Sequence, residues 1–513
     1  MNQDHSQEPV FALLADPATH GGAAVERKDT HAAAVFLAGN RALKVKRAVR
    51  FPFLDYSTLD KRRLACEAEI EINTPFAPEI YRRVVPITRE DDGALVLGGK
   101  GAPVEWAVEM RRFDENATLD RLADAGKIDA ALADALGRTV AAAHRHMSPV
   151  DAEDWINALA EYIEEHAAAF GDAPDVFPLA AFDMLELRNR QEYARIRPLL
   201  VERGRRGFIR HIHGDLHLGN IALFDGRPVL FDAIEFSPLI ASGDVLYDLA
   251  FLLMDLTERG LQGAANIVLN RYLVETSQPE HLDALALLPF FLSMRAAIRA
   301  KVTAARLRQP PGSEPRSAIA HSARQYFDYA CRFINPAPPT LVAVGGLSGT
   351  GKSLLTRALA PELAPAPGAV VLRSDVERKL MLGKAEHDKL PAAAYAPDVT
   401  ARVYATIADK ARRAVAAGHS AIVDAVFARP QERAVMAHSA QALGVPFQGL
   451  FLVADLETRV ARVGGRSRDA SDADAAVVRS QEDYDLGTLD WAEVDASGAP
   501  EQTLERARDA MAK

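Results

Sequence analysis

The 513-residue sequence contains only two cysteines, Cys66 and Cys331. That excludes a disulfide framework and a cysteine-based zinc knuckle, and each thiol reads as a small buried apolar group. Long apolar runs are also missing. The best stretch, LALLPFFLSM, is short and is followed at once by Arg295, Arg299 and Lys301, so no segment reads as membrane-spanning. The first residues, MNQDHSQEPV, have neither the basic stretch nor the apolar core of a secretory signal, and the cytoplasm is the expected location. No repeat of fixed period is visible. Nor is there an excess of positive charge. A formal charge of -10 argues against nucleic acid as the main partner, because nucleic-acid binders present a basic surface.

What is present has an ordinary globular balance, with 49% hydrophobic and 25% charged residues. The length calls for two or three compact units. RQPPGSEPRS (308–317) reads as an exposed loop and NPAPPT (335–340) as a stiff linker, which places a domain boundary near 337 and gives domains 1–337 and 338–513. In the second domain, β-type runs at 340–346, 369–375, 420–427 and 447–455 alternate with helical segments. Pro397 and Pro430 stand where helices begin, and Gly418 and Gly444 where they end. Strands alternating with helices predict an α/β fold with a parallel sheet. The first domain runs from strand patterns (AAAVFLAG, RALKVKR) through the helical RRLACEAEIEIN to long helices, an order that predicts a two-lobed α+β fold.

Gly346-Leu-Ser348-Gly349-Thr350-Gly351-Lys352-Ser353 matches G-x-x-x-x-G-K-[ST] in full, between a strand and a helix. Glycines let backbone N–H groups curl around phosphate oxygens, and the helix N-terminus adds favourable partial charge. Lys352 is expected to reach the β- and γ-phosphates of ATP and Ser353 to hold Mg²⁺. Asp375, in RSDVERK at the end of the second strand, is a candidate base for a substrate hydroxyl, with Arg373 and Arg378 beside it. It can also be read as a helix N-cap. Asp424, ending the third strand, suits a Walker B metal role. Arg459, Arg462, Arg466 and Arg468 crowd one segment, and Arg466 is a candidate for stabilising the transferring phosphoryl group. Four such arginines can also be a solvated helix end.

In the first domain the informative stretch is His213-Gly-Asp215-Leu-His217-Leu-Gly-Asn220, followed by PVLF and Asp232. A catalytic Asp five residues before a metal-binding Asn, with a second metal-binding Asp after a short strand, is the kinase pattern. Asp215 is the candidate base, and Asn220 and Asp232 the Mg²⁺ ligands. Glu235, close to Asp232 in sequence, can be read as joining them or as a surface residue. Lys44 and Lys46 alternate onto one face of a strand, the A-x-K spacing favouring Lys44 as the phosphate-binding lysine. Glu67, Glu69 and Glu71 are its possible partners, with Glu69 preferred. No G-x-G-x-x-G loop precedes the lysine strand, where GGAAVERKD stands instead.

The HGDLHLGN loop and the later Asp232 resemble the aminoglycoside phosphotransferase/choline kinase superfamily over roughly 20–335. The resemblance implies a protein-kinase-like fold and assigns Asp244 and Asp248 to structural support of the catalytic loop. Residues 340–513 resemble the small P-loop kinases that phosphorylate metabolite hydroxyls, in particular the predicted bacterial kinase domain fused to a phosphotransferase, through the glycine loop, RSDVERK and DASDAD. Together they imply a bifunctional ATP- and Mg²⁺-dependent phosphotransferase acting on a hydroxyl of a sugar, amino sugar or similar small molecule. The alternatives are a nucleotide sensor with one inactive module, or 5′-phosphorylation of a polynucleotide by the P-loop domain.

Overall fold

The computed structural model describes residues 6–51, 54–308, 315–465 and 469–512. The chain divides into two compact units, Met1–Tyr162 with Arg197–Asp255, and Ile163–Ile196 with Leu256–Lys513. Position 337 falls inside the second unit, which therefore contains helices on both sides of that position.

After a short helix at Glu8–Ala15, the first unit has an antiparallel sheet built from β1 (Val25–Asp29), β2 (Ala33–Ala38), β3 (Arg41–Lys46), β4 (Tyr81–Arg89), β5 (Leu95–Leu97) and β6 (Ala102–Arg111), in the order β1-β2-β3-β6-β4-β5. Strand alternation in β3 turns Leu43 and Val45 into a core shared with Phe36, Ile87 and Ala107, and puts Lys44 and Lys46 on the other face. Helix α1 (Leu59–Asn73) starts where the Thr58 hydroxyl accepts a hydrogen bond from the Lys61 amide. Its buried stripe is Arg62, Cys66, Glu69 and Asn73, the three- and four-residue spacing of one helix face. Further along, β7 (Ile209–His211) pairs with β10 (Ser242–Asp244), and between them lies the hairpin of β8 (Ile221–Phe224) and β9 (Arg227–Leu230). Asp225 and Gly226 both have positive φ at its turn (49° and 77°), the backbone that a two-residue Asp-Gly hairpin requires. That hairpin delivers Asp232.

The second unit contains a parallel sheet of β11 (Leu341–Gly346), β12 (Val370–Arg373), β13 (Ala421–Asp424), β14 (Phe447–Val453) and β15 (Ala492–Asp495), in the order β12-β13-β11-β14-β15. The first four coincide with the strands expected from the sequence. The fifth, AEVD, is short and mostly exposed, so it carries no apolar signal. Helices Pro397–Ala416 and Pro430–Leu443 begin at the expected prolines, and Gly444 closes the second with φ of 66°. One correction concerns the apolar run near 290. The helical stretch Pro279–Arg308 is long and apolar enough to cross a bilayer by length and composition, but 78% of its most apolar window is buried within the protein. It serves as a core helix of this unit.

His419, fully buried ahead of β13, contacts the Gly368 carbonyl through Nε2 at 2.7 Å, and burial pushes its pKa down to about 4. A histidine depressed in the folded state binds its proton more readily when unfolded. Its contribution is therefore present above the ordinary value near 6.5 and is lost as pH falls toward 4. The unfolding free energy should drop between pH 7 and 4.5, by up to ~1.4 kcal/mol per pH unit from this one group. His419→Gln should flatten that part of the curve, measured by urea unfolding at stepped pH.

Candidate functional sites

In the first unit, β3 and α1 bring Lys44 and Glu69 together. Lys44 Nζ lies 2.9 Å from Glu69 Oε1 and 2.7 Å from Asp232 Oδ1. Lys46 does not stand aside. Its Nζ is 2.5 Å from Glu69 Oε2, and it also bonds Glu235, which accepts from the Tyr56 hydroxyl at 3.1 Å. Each oxygen of Glu69 is thus held by one lysine. Glu67 and Glu71 are exposed, and Glu67 pairs with Arg63. Glu235 is committed to Lys46 and Tyr56, which separates it from the metal role considered for it. Burial opposes the charge on Glu69, but the two lysines hold it below the usual carboxylate range. The Lys44 ammonium does the same for Asp232, so both stay anionic.

Asp232 has φ of 61°, a left-handed backbone maintained by its neighbours. Its amide donates to the Tyr81 hydroxyl (3.1 Å), and Asn73, the last residue of α1, accepts from the Ala233 amide at 2.7 Å. The Phe231 amide donates to the Asn220 carbonyl at 3.0 Å. Asn220 Nδ2 in turn donates to both the main-chain carbonyl and Oδ2 of Asp215, each at 3.0 Å. His217 Nε2 is 3.4 Å from the same carboxylate. Asp215, Asn220, Asp232, Lys44 and Glu69 therefore form one connected set. The side-chain oxygens of Asn220 and Asp232 are hard donors suited to Mg²⁺, and the Lys44 ammonium lies beside Asp232.

Asp248 braces this loop, accepting from the amides of His213 and Gly214 at 3.0 Å each and meeting His144 Nε2 at 3.1 Å. Asp244 accepts from Arg203 at 2.5 and 2.8 Å and from the Leu246 amide at 2.9 Å. A second brace, missed from sequence, is Asp255, which accepts from the Leu218 amide at 2.9 Å. The clue was its spacing, seven residues and two turns after Asp248. Asp248→Ala would strand two buried amides, at about 1–3 kcal/mol each. Urea unfolding should show that loss.

In the second unit the glycine loop joins β11 to the helix Lys352–Leu359 with Gly346, Gly349 and Gly351 all at positive φ. At two of these positions, space is also closed. A Cβ on Gly346 would come 2.6 Å from the Leu452 carbonyl, and one on Gly349 2.6 Å from the Arg459 carbonyl. The Thr350 hydroxyl donates to the Leu347 carbonyl at 2.8 Å, as Lys352 Nζ does at 3.2 Å, and the Ser348 amide donates to Gln481 at 2.7 Å.

Ser353 Oγ donates to Asp424 Oδ2 at 2.6 Å, joining the two metal candidates. A hydroxyl and a carboxylate are again a hard-oxygen pair fitting Mg²⁺. Arg373 lies against both, its Nη2 2.9 Å from Ser353 Oγ and its Nε 3.3 Å from Asp424; Nη2 also reaches Asp469 at 3.2 Å. Asp375 sits in the first turn of the helix Ser374–Met381, whose N-cap is Arg373, so the capping role considered for Asp375 is not the one it has. Burial and the neighbouring Asp424 raise its pKa, the direction that makes a carboxylate a better base near neutrality. Arg378 bonds the Ala394 carbonyl (2.8 Å) and Thr400, and lies over the Tyr395 ring. Asp472, from the DASDAD segment, accepts from Lys379, the Leu390 amide and the Tyr395 hydroxyl. Its acidic spacing was visible in the sequence, but its partners were not. Of the four crowded arginines, Arg459 is buried against Ala454 O and Glu482, and Arg462 binds the carbonyls of Ala496 and Gly498. Arg466 and Arg468 lie outside the described residues.

Two protein families match these regions. The Phosphotransferase enzyme family matches residues 93–288 and the AAA domain family matches 341–484. The first match begins downstream of Lys44 and Glu69. Uncharacterised proteins of Mycobacterium tuberculosis and Mycobacterium bovis are 30% identical over 497 residues, covering 94% of this chain and 94% of each relative. The chain belongs to this family of two-module proteins, an aminoglycoside phosphotransferase-type domain followed by a P-loop kinase-like domain. Among solved structures, wild-type aminoglycoside 2′-phosphotransferase-IIIa is 13% identical, covering 64% of this chain and 99% of its own, with a TM-score of 0.38. A gluconokinase from Sinorhizobium meliloti 1021 is 20% identical, covering 34% of this chain and 92% of its own, with a TM-score of 0.26.

Proposed function

We propose that the protein is a bifunctional ATP- and Mg²⁺-dependent kinase, in which each module transfers a γ-phosphoryl group to a hydroxyl of a sugar, amino sugar or similar small molecule. The reading is carried by a cation set against hard-oxygen groups in each module: Lys44 on Asp232 in the first, where Asn220 holds the neighbouring Asp215, and Arg373 on the Ser353–Asp424 pair in the second. When bound, Mg²⁺ would supply charge neutralisation on the phosphates. Asp215 would orient the acceptor hydroxyl and take its proton in the first site, and Asp375 would do so in the second. Lys44, fixed by Glu69, and Lys352 would hold the phosphates. The module boundary near 337 and a cytoplasmic location belong to the same proposal.

ATP turnover of Lys352→Ala and Asp215→Ala against a panel of sugars, amino sugars and nucleosides tests it. Each substitution should abolish phosphorylation of a different acceptor; if neither lowers any phosphorylation, the proposal is wrong. One observation favours nucleotide sensing in the first module instead: the β1–β2 turn, Thr30-His31-Ala32, has no glycine to bring backbone amides onto phosphates. Calorimetry of Lys352→Ala with Mg·ATP separates the two. Binding without phosphoryl transfer to any acceptor would favour sensing.

A further inference from the structure

β12 is an edge strand of the parallel sheet, and it ends on Arg373. An edge leaves every second N–H and C=O unpaired. Here the outward groups are the Ala369 carbonyl and the Val371 amide, and both are taken by side chains of the helix Gln262–Thr276, which precedes position 337 and lies within the phosphotransferase-family match. Asn270 Oδ1 accepts from the Val371 amide at 2.7 Å while its Nδ2 donates to the Ala369 carbonyl at 3.1 Å. A carboxamide carries one donor group and one acceptor, so it pairs with a strand edge as a peptide unit would. Asn266, one turn earlier and buried, adds a second donor to Ala369 O at 3.0 Å. Asparagine is a poor helix former, so two on one face mark a task other than helix propagation. The same helix reaches the next element as well. Arg271 pairs with Glu386 at 2.8 Å, and the Glu386 carbonyl accepts from Lys379 Nζ at 2.9 Å.

We propose that Asn270 is a positioning residue of the P-loop site: by pinning Val371 it sets where Arg373 stands against Ser353 and Asp424. The inference rests on the reading of that site as a phosphotransferase. Val371 and Arg373 are two residues apart on one short strand, so a slip of the Val371 amide displaces the guanidinium two bonds of Ser353 and Asp424 depend on. The P-loop chemistry thereby depends on a helix outside its own family match.

The test uses the full chain in an Asp215→Asn background, with water as phosphoryl acceptor, reading Mg·ATP hydrolysis, thermal midpoint and amide exchange at Val371. Asn270→Leu should speed exchange at Val371 and lower kcat about tenfold, with KM for ATP within about twofold. In an Arg373→Gln background the same substitution should change kcat less than about twofold, because an effect that runs through Arg373 cannot be lost twice. If Asn270→Leu does not fold, Asn270→Ser, too short to reach Val371, carries the same measurements. A lowered thermal midpoint with kcat unchanged would reduce Asn270 to an edge cap and overturn the proposal, as would an equal loss of kcat in both backgrounds. If Lys352→Ala leaves hydrolysis intact in the Asp215→Asn background, the reading of the site itself falls and takes the proposal with it.

Discussion

Lys352→Ala should lower phosphoryl transfer at the P-loop site by roughly 10²- to 10³-fold, about 2.7–4 kcal/mol of transition-state stabilisation. In the structure Lys352 Nζ rests on the Leu347 carbonyl of its own loop, so the ammonium is already held over the turn that Gly346, Gly349 and Gly351 make possible. Removing it leaves those glycines, and the Ser353–Asp424 pair at 2.6 Å, as they are. The loss should therefore fall on kcat/KM rather than on folding, with the thermal midpoint within about a degree or two, since a partly exposed surface-side lysine contributes little to stability. Steady-state kinetics at saturating and limiting ATP would separate the two parameters.

The second large effect is Asp215→Asn. An acceptor hydroxyl needs a group that takes its proton, and general-base catalysis is worth roughly 10²- to 10⁴-fold. The substitution keeps the volume and turns the acceptor towards Asn220 Nδ2 into an amide, which can still offer its oxygen to that donor at the present 3.0 Å. Asp248 and Asp255 continue to hold the loop through the amides of His213, Gly214 and Leu218. Turnover at the first site should fall by that factor while nucleotide affinity changes little. A comparable fall in affinity would mean that Asp215 acts on the nucleotide and not on the acceptor.

Much of both sites could be read from the chain because the chemistry demands local patterns. A glycine loop has to follow a strand and open a helix, and Asp215, Asn220 and Asp232 have to be delivered by a short loop and a hairpin. The glycine loop and the spacing of Asp215, Asn220 and Asp232 were visible, whereas the Asp225-Gly226 turn that closes the hairpin was not read. The choice between Lys44 and Lys46 could not be made by alternation, because period two places both on one face and Glu69 has an oxygen for each. The choice among three glutamates, by contrast, was open to helical spacing: Cys66, Glu69 and Asn73 form the buried stripe, and Glu67 and Glu71 fall off it. What sequence did not reveal are long-range side-chain bonds. Asp255 on Leu218, Arg373 on the Ser353–Asp424 pair and Asn270 on Val371 join residues 20 to 101 positions apart by no periodic rule. β15 stayed hidden for a different reason, since an edge strand with one buried residue has almost no apolar pattern to show.

The claim on which the account depends is that one chain holds two separate nucleotide sites. Calorimetric titration with Mg²⁺ and a non-hydrolysable ATP analogue counts them directly. The account predicts two sites per chain in the parent protein, one in Lys352→Ala, one in Lys44→Ala and none in the double variant. A single site per chain in the parent, lost entirely by either substitution alone, would contradict it.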